Sequence, residues 1–215
     1  MNWIFFDLGS TLLDESRMIR LRVEETFARL RGTPNECSAE EFRERMRRAA
    51  LWHPHPYAAA MADMGLGNGD PAWVEWDTTL ESPYPGARPL LELLHETHSL
   101  GVIANQSLGA AERLRQWGLA RFFDVIVCSA EAGVEKPDLR MFEMALQRAG
   151  CAPQSAVMVG DRLDNDIAPA KRLGMRTVWV RQGWGGFGVP TNESAPDIIV
   201  DSLEELQELA KVCFN

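Results

Sequence analysis

Four segments of the chain place acidic, amide or ammonium side chains at or after the ends of short apolar runs. Asp7 follows the first run, Asn105 the second, Lys136 comes after the third and Asp161 follows the fourth. An aspartate at a strand end acts as a nucleophile, as a metal ligand or simply as a turn residue. Together, carboxylates, one ammonium and one amide suit phosphoryl transfer, in which an aspartate attacks phosphorus.

An attack by Asp7 on a phosphate brings two anions together, so such a site needs positive charge. Mg²⁺ prefers oxygen ligands, which Asp7 and Asp161 would supply with a main-chain carbonyl near Gly9. Lys136 would add positive charge beside the nucleophile, and Asn105 would donate a hydrogen bond to a phosphoryl oxygen. The residues therefore predict a catalytic Asp7 and Lys136, phosphate contacts at Asn105 and Lys136, and a Mg²⁺ site.

Five apolar runs are predicted to form the buried strands that carry these groups: Trp3–Phe6, Val102–Ala104, Val125–Cys128, Ala156–Val159 and Thr177–Val180. Segments with helix signals lie between the later runs, for example one that opens at Asp138 and stops at Gly150. Strands that alternate with helices are typical of a parallel sheet covered on both faces, which binds ligands at the carboxyl ends of its strands. The predicted fold class is α/β, a Rossmann-like doubly wound parallel sheet.

Residues 14–85 interrupt this alternation. Apolar residues recur there at helical spacing, as in Ile19, Val23, Phe27 and Leu30. We therefore expect an α/β core of residues 1–13 and 86–215. An all-helical cap of residues 14–85 would be inserted directly after the first strand.

Composition narrows the class of partner. The net charge of −9 and the sequence pI near 5.0 argue against nucleic acid or an anionic membrane as the main partner. The overall negative charge does not exclude an anionic substrate, because the binding site of an acidic protein can be locally positive. Four scattered cysteines without a C-x-x-C pair favour a reducing cytoplasm. No apolar run approaches the length of a membrane span, and we expect no signal peptide.

Four motifs, in order and each after a predicted strand, resemble those of the haloacid dehalogenase-like hydrolase superfamily, whose members are mostly phosphatases. They are FFDLGSTL at 5–12, GVIAN at 101–105, VEKPD at 134–138 and MVGDRLDNDI at 158–167. The helical insertion resembles the C1-type cap of that superfamily.

The resemblance implies a role for each matching residue. Asp7 would be the nucleophile and a Mg²⁺ ligand, and Lys136 would steady both the nucleophile and the phosphate. Asp161 would be a metal ligand, with Asp166 in the outer shell or holding a metal-bound water. Asn105 would lie at the phosphate. Asp166 is alternatively only the N-cap of its helix, and Asp164 is more typical of ordinary loop charge.

Two positions depart from the pattern that the sequence resembles. Gly9 stands where phosphatases of the superfamily have a second aspartate, the general acid and base. Ala104 stands where they have a phosphate-binding hydroxyl, although Ser10 and Ser107 lie nearby in sequence. Dehalogenases and phosphonate-cleaving members also lack the second aspartate. The acidic fourth motif disfavours the former, and the absence of lysine from residues 1–85 disfavours the latter.

These observations predict a Mg²⁺-dependent phosphatase of small phosphorylated metabolites that acts through an aspartyl-phosphate at Asp7. One alternative is a phosphate-binding or regulatory protein with weak or no turnover, which Gly9 and Ala104 favour. A second alternative is a dehalogenase that hydrolyses carbon–halogen bonds. The stretch GWGGFG at 183–188 follows the fifth strand, so it is interpreted as an aromatic loop at the site rim, a partner contact or a plain loop. The sequence indicates neither the substrate nor the oligomeric state.

Overall fold

A computed structural model describes residues 3–53 and 55–213, with side chains to residue 210. Its strands are β1 (Trp3–Phe6), β2 (Leu13–Asp14), β3 (Ser82–Pro83), β4 (Ser99–Ala104), β5 (Val125–Cys128), β6 (Ala156–Gly160), β7 (Arg176–Val180) and β8 (Ile198–Val200). Six of them form one sheet in the order β5–β4–β1–β6–β7–β8, and each neighbouring pair is parallel. β2 and β3 form a separate two-stranded sheet. The predicted α/β class with a doubly wound parallel sheet is confirmed.

All five predicted strands are present, and the structure adds β8 at the edge of the sheet. The helices are α1 (Ser16–Leu30), α2 (Ala39–Ala49), α3 (Pro56–Ala62), α4 (Ala87–His95), α5 (Ala110–Gln116), α6 (Ser129–Ala132), α7 (Leu139–Ala149), α8 (Ala168–Leu173) and α9 (Leu203–Cys213). The helix predicted after Asp138 is α7: the Asp138 side chain accepts a hydrogen bond from the Arg140 amide, and Gly150 ends the helix at a φ of 61°.

Alternation along the strands places apolar side chains on both faces of the sheet. In β1, Ile4 and Phe6 pack with residues of α4, α5 and α9, whereas Phe5 packs with residues of α7 and α8. Burial on both faces explains why the central strands are continuous apolar runs. The strand ends are therefore held in register by two cores.

The chain divides into two compact units, one of residues 1–14 and 83–215 and the other of residues 15–82. The second unit contains α1 to α3, and a capping box between Ser38 and Glu41 opens α2. Residues 66–77 contain no helix. The turns at 65–71, where Gly65 and Gly69 adopt positive φ angles, agree with the prediction that GLGNGDP is a joint between helices, whereas residues 72–77 were expected to be helical. That the 15–82 unit, hereafter the helical unit, acts as a cap stays a prediction.

In the part of the chain that the structure describes, no helix is both long and apolar enough to cross a membrane. Cys37, Cys128 and Cys151 are free thiols, and the side chain of Cys213 lies outside the described residues.

Candidate active site

The residues predicted from the strand ends come together at the carboxyl edge of the main sheet. Asp7 directly follows β1, and its amide continues the ladder by donating to the Val159 carbonyl at 2.9 Å. Asp161 directly follows β6, the strand next to β1. Because β1 and β6 are in register, the two aspartates leave the sheet side by side.

Lys136 is the cation of this site, and it is almost completely buried, with 1% of its surface exposed. Its Nζ donates to Asp7 Oδ1 at 2.7 Å and to Asp166 Oδ1 at 2.5 Å. Burial opposes the charged form, but the carboxylates of Asp166 and Asp7 outweigh burial and raise the pKa of Lys136. The ammonium therefore stays charged and holds both carboxylates in place.

Asp7, Asp161 and Asp166 each offer a carboxylate oxygen, and these oxygens lie within 4.8 Å of one another. All three side chains are buried. Burial raises the pKa of the Asp166 carboxyl to about 6, against the lowering influence of Lys136. Three carboxylates against one ammonium leave an excess of negative charge, so the donor set fits a hard divalent cation such as Mg²⁺.

The position of Asp166 depends on one π-helical turn, Leu163–Ile167, that precedes α8. The Asp166 side chain turns back towards the strand end, where Oδ2 accepts from the Arg162 amide at 2.9 Å. A Cβ placed on Gly160 would lie 2.4 Å from the Asp166 carboxylate, so this close approach requires glycine. Asp166 is therefore a fully buried member of the cluster and not the N-cap of α8.

Asp161 is held by three groups that sequence reasoning did not assign to the site. The Thr11 hydroxyl donates to Asp161 Oδ1 at 3.3 Å, and the Trp179 indole donates to its main-chain oxygen at 2.7 Å. A Cβ on Gly185 would lie 2.3 Å from the Asp161 main-chain oxygen and 2.4 Å from Oδ2. Thr11 had a sequence signal because it lies within the first motif, and Gly185 had one because it lies within GWGGFG, but Trp179 had none beyond its place in a predicted strand.

The loop of residues 183–188 is thus packed against the site. Besides the contact of Gly185, a Cβ on Gly183 would lie 2.5 Å from the Cβ and Oγ of Ser10. Trp184 and Phe187 of this loop have ring centroids 6.4 Å apart, and Phe187 is exposed. Of the three interpretations of GWGGFG, a loop at the site rim agrees with these contacts.

Asn105 follows β4 and brackets the main chain of Lys136. Its Nδ2 donates to the Lys136 carbonyl at 2.9 Å, and its Oδ1 accepts from the Lys136 amide at 2.7 Å. This pair of bonds fixes the origin of the lysine side chain. The side-chain nitrogen of Asn105 carries a second hydrogen, which a phosphate oxygen would be able to accept. The phosphate contact of Asn105 itself stays a prediction.

The departures at Gly9 and Ala104 have different surroundings. Gly9 forms an isolated bridge with Leu13 in the turn after β1, and its role as a carbonyl ligand stays a prediction. Ser10, the next residue, is buried and has a φ of 54°, a left-handed conformation that costs energy for a serine. Ala104 is completely buried at the end of β4, whereas Ser107 is exposed.

Asp164 forms an ion pair with Arg162, in agreement with its interpretation as loop charge.

A sequence comparison assigns the family. Residues 4–180 match the family model of the haloacid dehalogenase-like hydrolases, and the chain belongs to this family. A glyceraldehyde 3-phosphate phosphatase of Methanocaldococcus jannaschii is 30% identical over 97% of this chain and 96% of that protein. The match to the glyceraldehyde 3-phosphate phosphatase of Methanopyrus kandleri has 41% identity but spans 60% of this chain and 58% of that protein. The predicted family and the class of hydrolase are confirmed.

Solved structures of the family include two chemistries. A phosphatase of Thermococcus onnurineus superimposes with a TM-score of 0.68 and 26% identity, and the match covers 98% of each chain. A 2-haloacid dehalogenase of Pseudomonas syringae pv. Tomato DC3000 superimposes with a TM-score of 0.62, the same identity and the same coverage. Fold similarity therefore does not separate phosphoester from carbon–halogen hydrolysis, and the site has to do so.

Proposed function

We propose that the protein is a Mg²⁺-dependent phosphatase of small phosphorylated metabolites. The observation that carries this proposal is the buried ammonium of Lys136 between Asp7 and Asp166, beside the carboxylate of Asp161. A relative of similar length is named a glyceraldehyde 3-phosphate phosphatase, and another relative is named a phosphoserine phosphatase. Both names support small phosphorylated substrates.

The chain's own residues divide the chemical work. Asp7 attacks phosphorus, so that a bond forms between its carboxylate oxygen and phosphorus while the bond from phosphorus to the leaving oxygen breaks. Lys136 binds Oδ1 of Asp7, which leaves Oδ2 as the attacking oxygen. Water then attacks the aspartyl-phosphate, releasing inorganic phosphate and restoring Asp7.

Asp7 and Asp161 would hold Mg²⁺ with the Gly9 carbonyl, and Asp166 would lie in its outer shell. The bound ion supplies the positive charge that lets a carboxylate and a phosphate approach each other. The proposed roles of Asn105 and Lys136 at the phosphate follow from hydrogen-bond donation to phosphoryl oxygens. The helical unit is proposed to act as the cap that selects the substrate.

The absence of a carboxylate at position 9 favours substrates with good leaving groups. An alkoxide leaves only when it is protonated, whereas an aryloxide or a carboxylate leaves without that help. Aryl and acyl phosphates are therefore the proposed preference over sugar phosphates. The same absence, with Ala104, favours a second candidate, a protein that binds phosphorylated ligands with little turnover.

The experiment is hydrolysis of p-nitrophenyl phosphate by the purified protein, with Mg²⁺ and with EDTA. We expect the protein to hydrolyse the ester with Mg²⁺, and we expect both EDTA and Asp7→Asn to abolish this turnover. Asp124→Asn is the matched control, because Asp124 is an exposed aspartate away from the cluster. Release of chloride from 2-chloropropionate in EDTA would point to the dehalogenase instead, and binding of phosphate esters without turnover would support the second candidate.

A further inference from the structure

Ser10 has an unusual backbone conformation in the turn after β1. In the part of the chain that the structure describes, it is the one residue other than glycine with a positive φ. Hydrogen bonds of the turn hold this conformation: the Ser10 amide donates to the Leu13 carbonyl at 2.8 Å, and the Leu12 amide donates to the Leu8 carbonyl at 2.9 Å. A glycine would adopt it without steric cost. The presence of a side chain at position 10 therefore has to be explained by the contacts that it makes.

The Ser10 side chain packs against Gly183, in the loop after β7. Ser10 is buried, and a Cβ built on Gly183 would lie 2.5 Å from both the Cβ and the Oγ of Ser10. Atoms of the serine thus occupy the space that a side chain at position 183 would need. Gly183 also has a positive φ, 53°, which favours glycine.

The loop of residues 183–188 has few side chains of its own with which to hold a position. Four of its six residues are glycine, the residue that loses the most conformational freedom when it becomes ordered. The Gly186 amide donates to the Gln182 carbonyl and the Gly188 amide to the Gly185 carbonyl, each at 3.0 Å. These bonds lie within the segment, so contacts with neighbouring segments have to fix the loop against the sheet edge.

On its other side the same loop contacts a residue of the acidic cluster. A Cβ on Gly185 would lie 2.3 Å from the main-chain oxygen of Asp161 and 2.4 Å from its Oδ2. The loop therefore touches the turn after β1 through Gly183 and the turn after β6 through Gly185. One short segment links the turn that begins at Asp7 with the carboxylate of Asp161.

We propose that Ser10 is a positioning residue of the active site. By packing against Gly183, its side chain holds the loop against Asp161 and so fixes the Asp161 carboxylate for a divalent cation. The inference rests on the proposed function, in which Asp161 is a Mg²⁺ ligand. Without the Ser10 side chain, the loop and Asp161 become ordered only when the ion binds, which lowers the affinity. The role needs side-chain volume at position 10, not a hydroxyl.

Two variants test this role by calorimetric titration with Mg²⁺. Ser10→Gly should stay folded, because glycine adopts the left-handed conformation freely, but its Mg²⁺ affinity should fall by roughly 3- to 10-fold, at or below the lower end of the effects of groups that orient metal ligands. Ser10→Ala keeps the Cβ that contacts Gly183 and should keep most of the affinity. Ser155→Gly is the matched control, since Ser155 directly precedes β6, at the opposite end of that strand from Asp161.

Hydrogen exchange in EDTA tests the loop without the ion. The amides of Gly186 and Gly188 should exchange faster in Ser10→Gly than in the unsubstituted protein, because the loop opens more often, and Ser155→Gly should leave their rates unchanged. Unchanged exchange in Ser10→Gly would overturn the inference, and so would an unchanged Mg²⁺ affinity. Equal losses of affinity in Ser10→Gly and Ser10→Ala would also overturn it, because they would assign the effect to the hydroxyl.

The same measurements separate the two proposals. Hydrolysis of p-nitrophenyl phosphate by the unsubstituted protein, with equal Mg²⁺ affinity in Ser10→Gly, would leave the phosphatase standing and remove the role of Ser10. Conversely, weaker Mg²⁺ binding and faster loop exchange in Ser10→Gly, without hydrolysis of any phosphate ester by the unsubstituted protein, would keep the role of Ser10 and remove the phosphatase. Absence of Mg²⁺ binding by the unsubstituted protein would remove both.

Discussion

Lys136 in the α/β unit and Arg22 in the helical unit are both cations withdrawn from water, but they are stabilised in opposite ways. Lys136 lies between two carboxylates, whereas Arg22 lies against two aromatic rings and a carbonyl. Two of the three N–H donors of Lys136 bind carboxylates of its own site, while the aromatic faces of Tyr57 and Trp76 that hold Arg22 take none of its donors. The difference shows that one buried cation is balanced by charge and the other, half-buried, by contact with aromatic rings.

The largest effect is expected at Asp7, the carboxylate that Lys136 orients. Asp7→Asn removes the proposed nucleophile and should lower kcat for p-nitrophenyl phosphate by about 10⁴–10⁶-fold. Lys136 keeps its contact with Asp166 in this variant, so the protein should stay folded. Residual turnover above a few per cent of the unsubstituted level would show that another group is the nucleophile.

The next largest effect is expected at position 9, where the α/β site has no carboxylate to act as general acid and base. Gly9→Asp should raise kcat/KM for an alkyl phosphate by up to about 10²–10⁴-fold, the usual value of a positioned acid–base group. An aryl phosphate should gain much less, because its leaving group needs no proton. The quantity to compare is the alkyl-to-aryl ratio in the two proteins. If the ratio is unchanged in a folded variant that binds Mg²⁺, some other residue already acts as the acid.

Stability provides a direct test of the contrast between the two cations. Lys136→Met leaves buried carboxylates uncompensated and should lower the free energy of unfolding by about 3–5 kcal/mol. Arg22→Met removes contacts with rings and should cost only about 0.5–2 kcal/mol. Denaturant titration of both variants in EDTA measures the two values. Equal losses of unfolding free energy would mean that Arg22 contributes as much to the stability of the fold as Lys136 does.

The smallest of these effects is expected from the loop packed on Asp161. Gly185→Ala would place a methyl group against main-chain and carboxylate atoms of Asp161, which must then shift. We expect Mg²⁺ affinity to fall by about 10-fold, at the lower end of the effects of groups that orient metal ligands. Calorimetric titration with Mg²⁺ measures this change. Gly67→Ala is the control, since nothing lies within 4 Å of a Cβ at that position, and equal affinities in the two variants would remove the orienting role.

The sequence predicted the α/β core because its signals are local. Apolar runs of strand length, each followed by a polar residue, were enough to place Asp7, Asn105 and Asp161 at one sheet edge. The short strand β8 was missed, since Ile198–Val200 is too brief for a periodic signal. The turn that buries Asp166 was also missed, because a π-helical turn has no sequence periodicity of its own.

Contacts between segments far apart in the chain escaped prediction for a different reason. The approach of Gly185 to Asp161 depends on where the segment after β7 turns, and the cage around Arg22 joins residues more than thirty positions apart. The sequence alone does not distinguish Arg22 from the other arginines of the helical unit. Only the contacts of each guanidinium distinguish an arginine held by rings from one held by a carboxylate.

The two hydrogen bonds that Asn105 forms with the main chain of Lys136 have a consequence for how the lysine is positioned. The side-chain amide of Asn105 matches the main-chain N–H and C=O of Lys136 as a peptide group of a neighbouring strand would. The sheet is in effect extended beyond β4 by a single side chain, without another residue of backbone. The start of the Lys136 side chain is therefore located from the neighbouring strand, through two hydrogen bonds, as well as through its own segment of the chain.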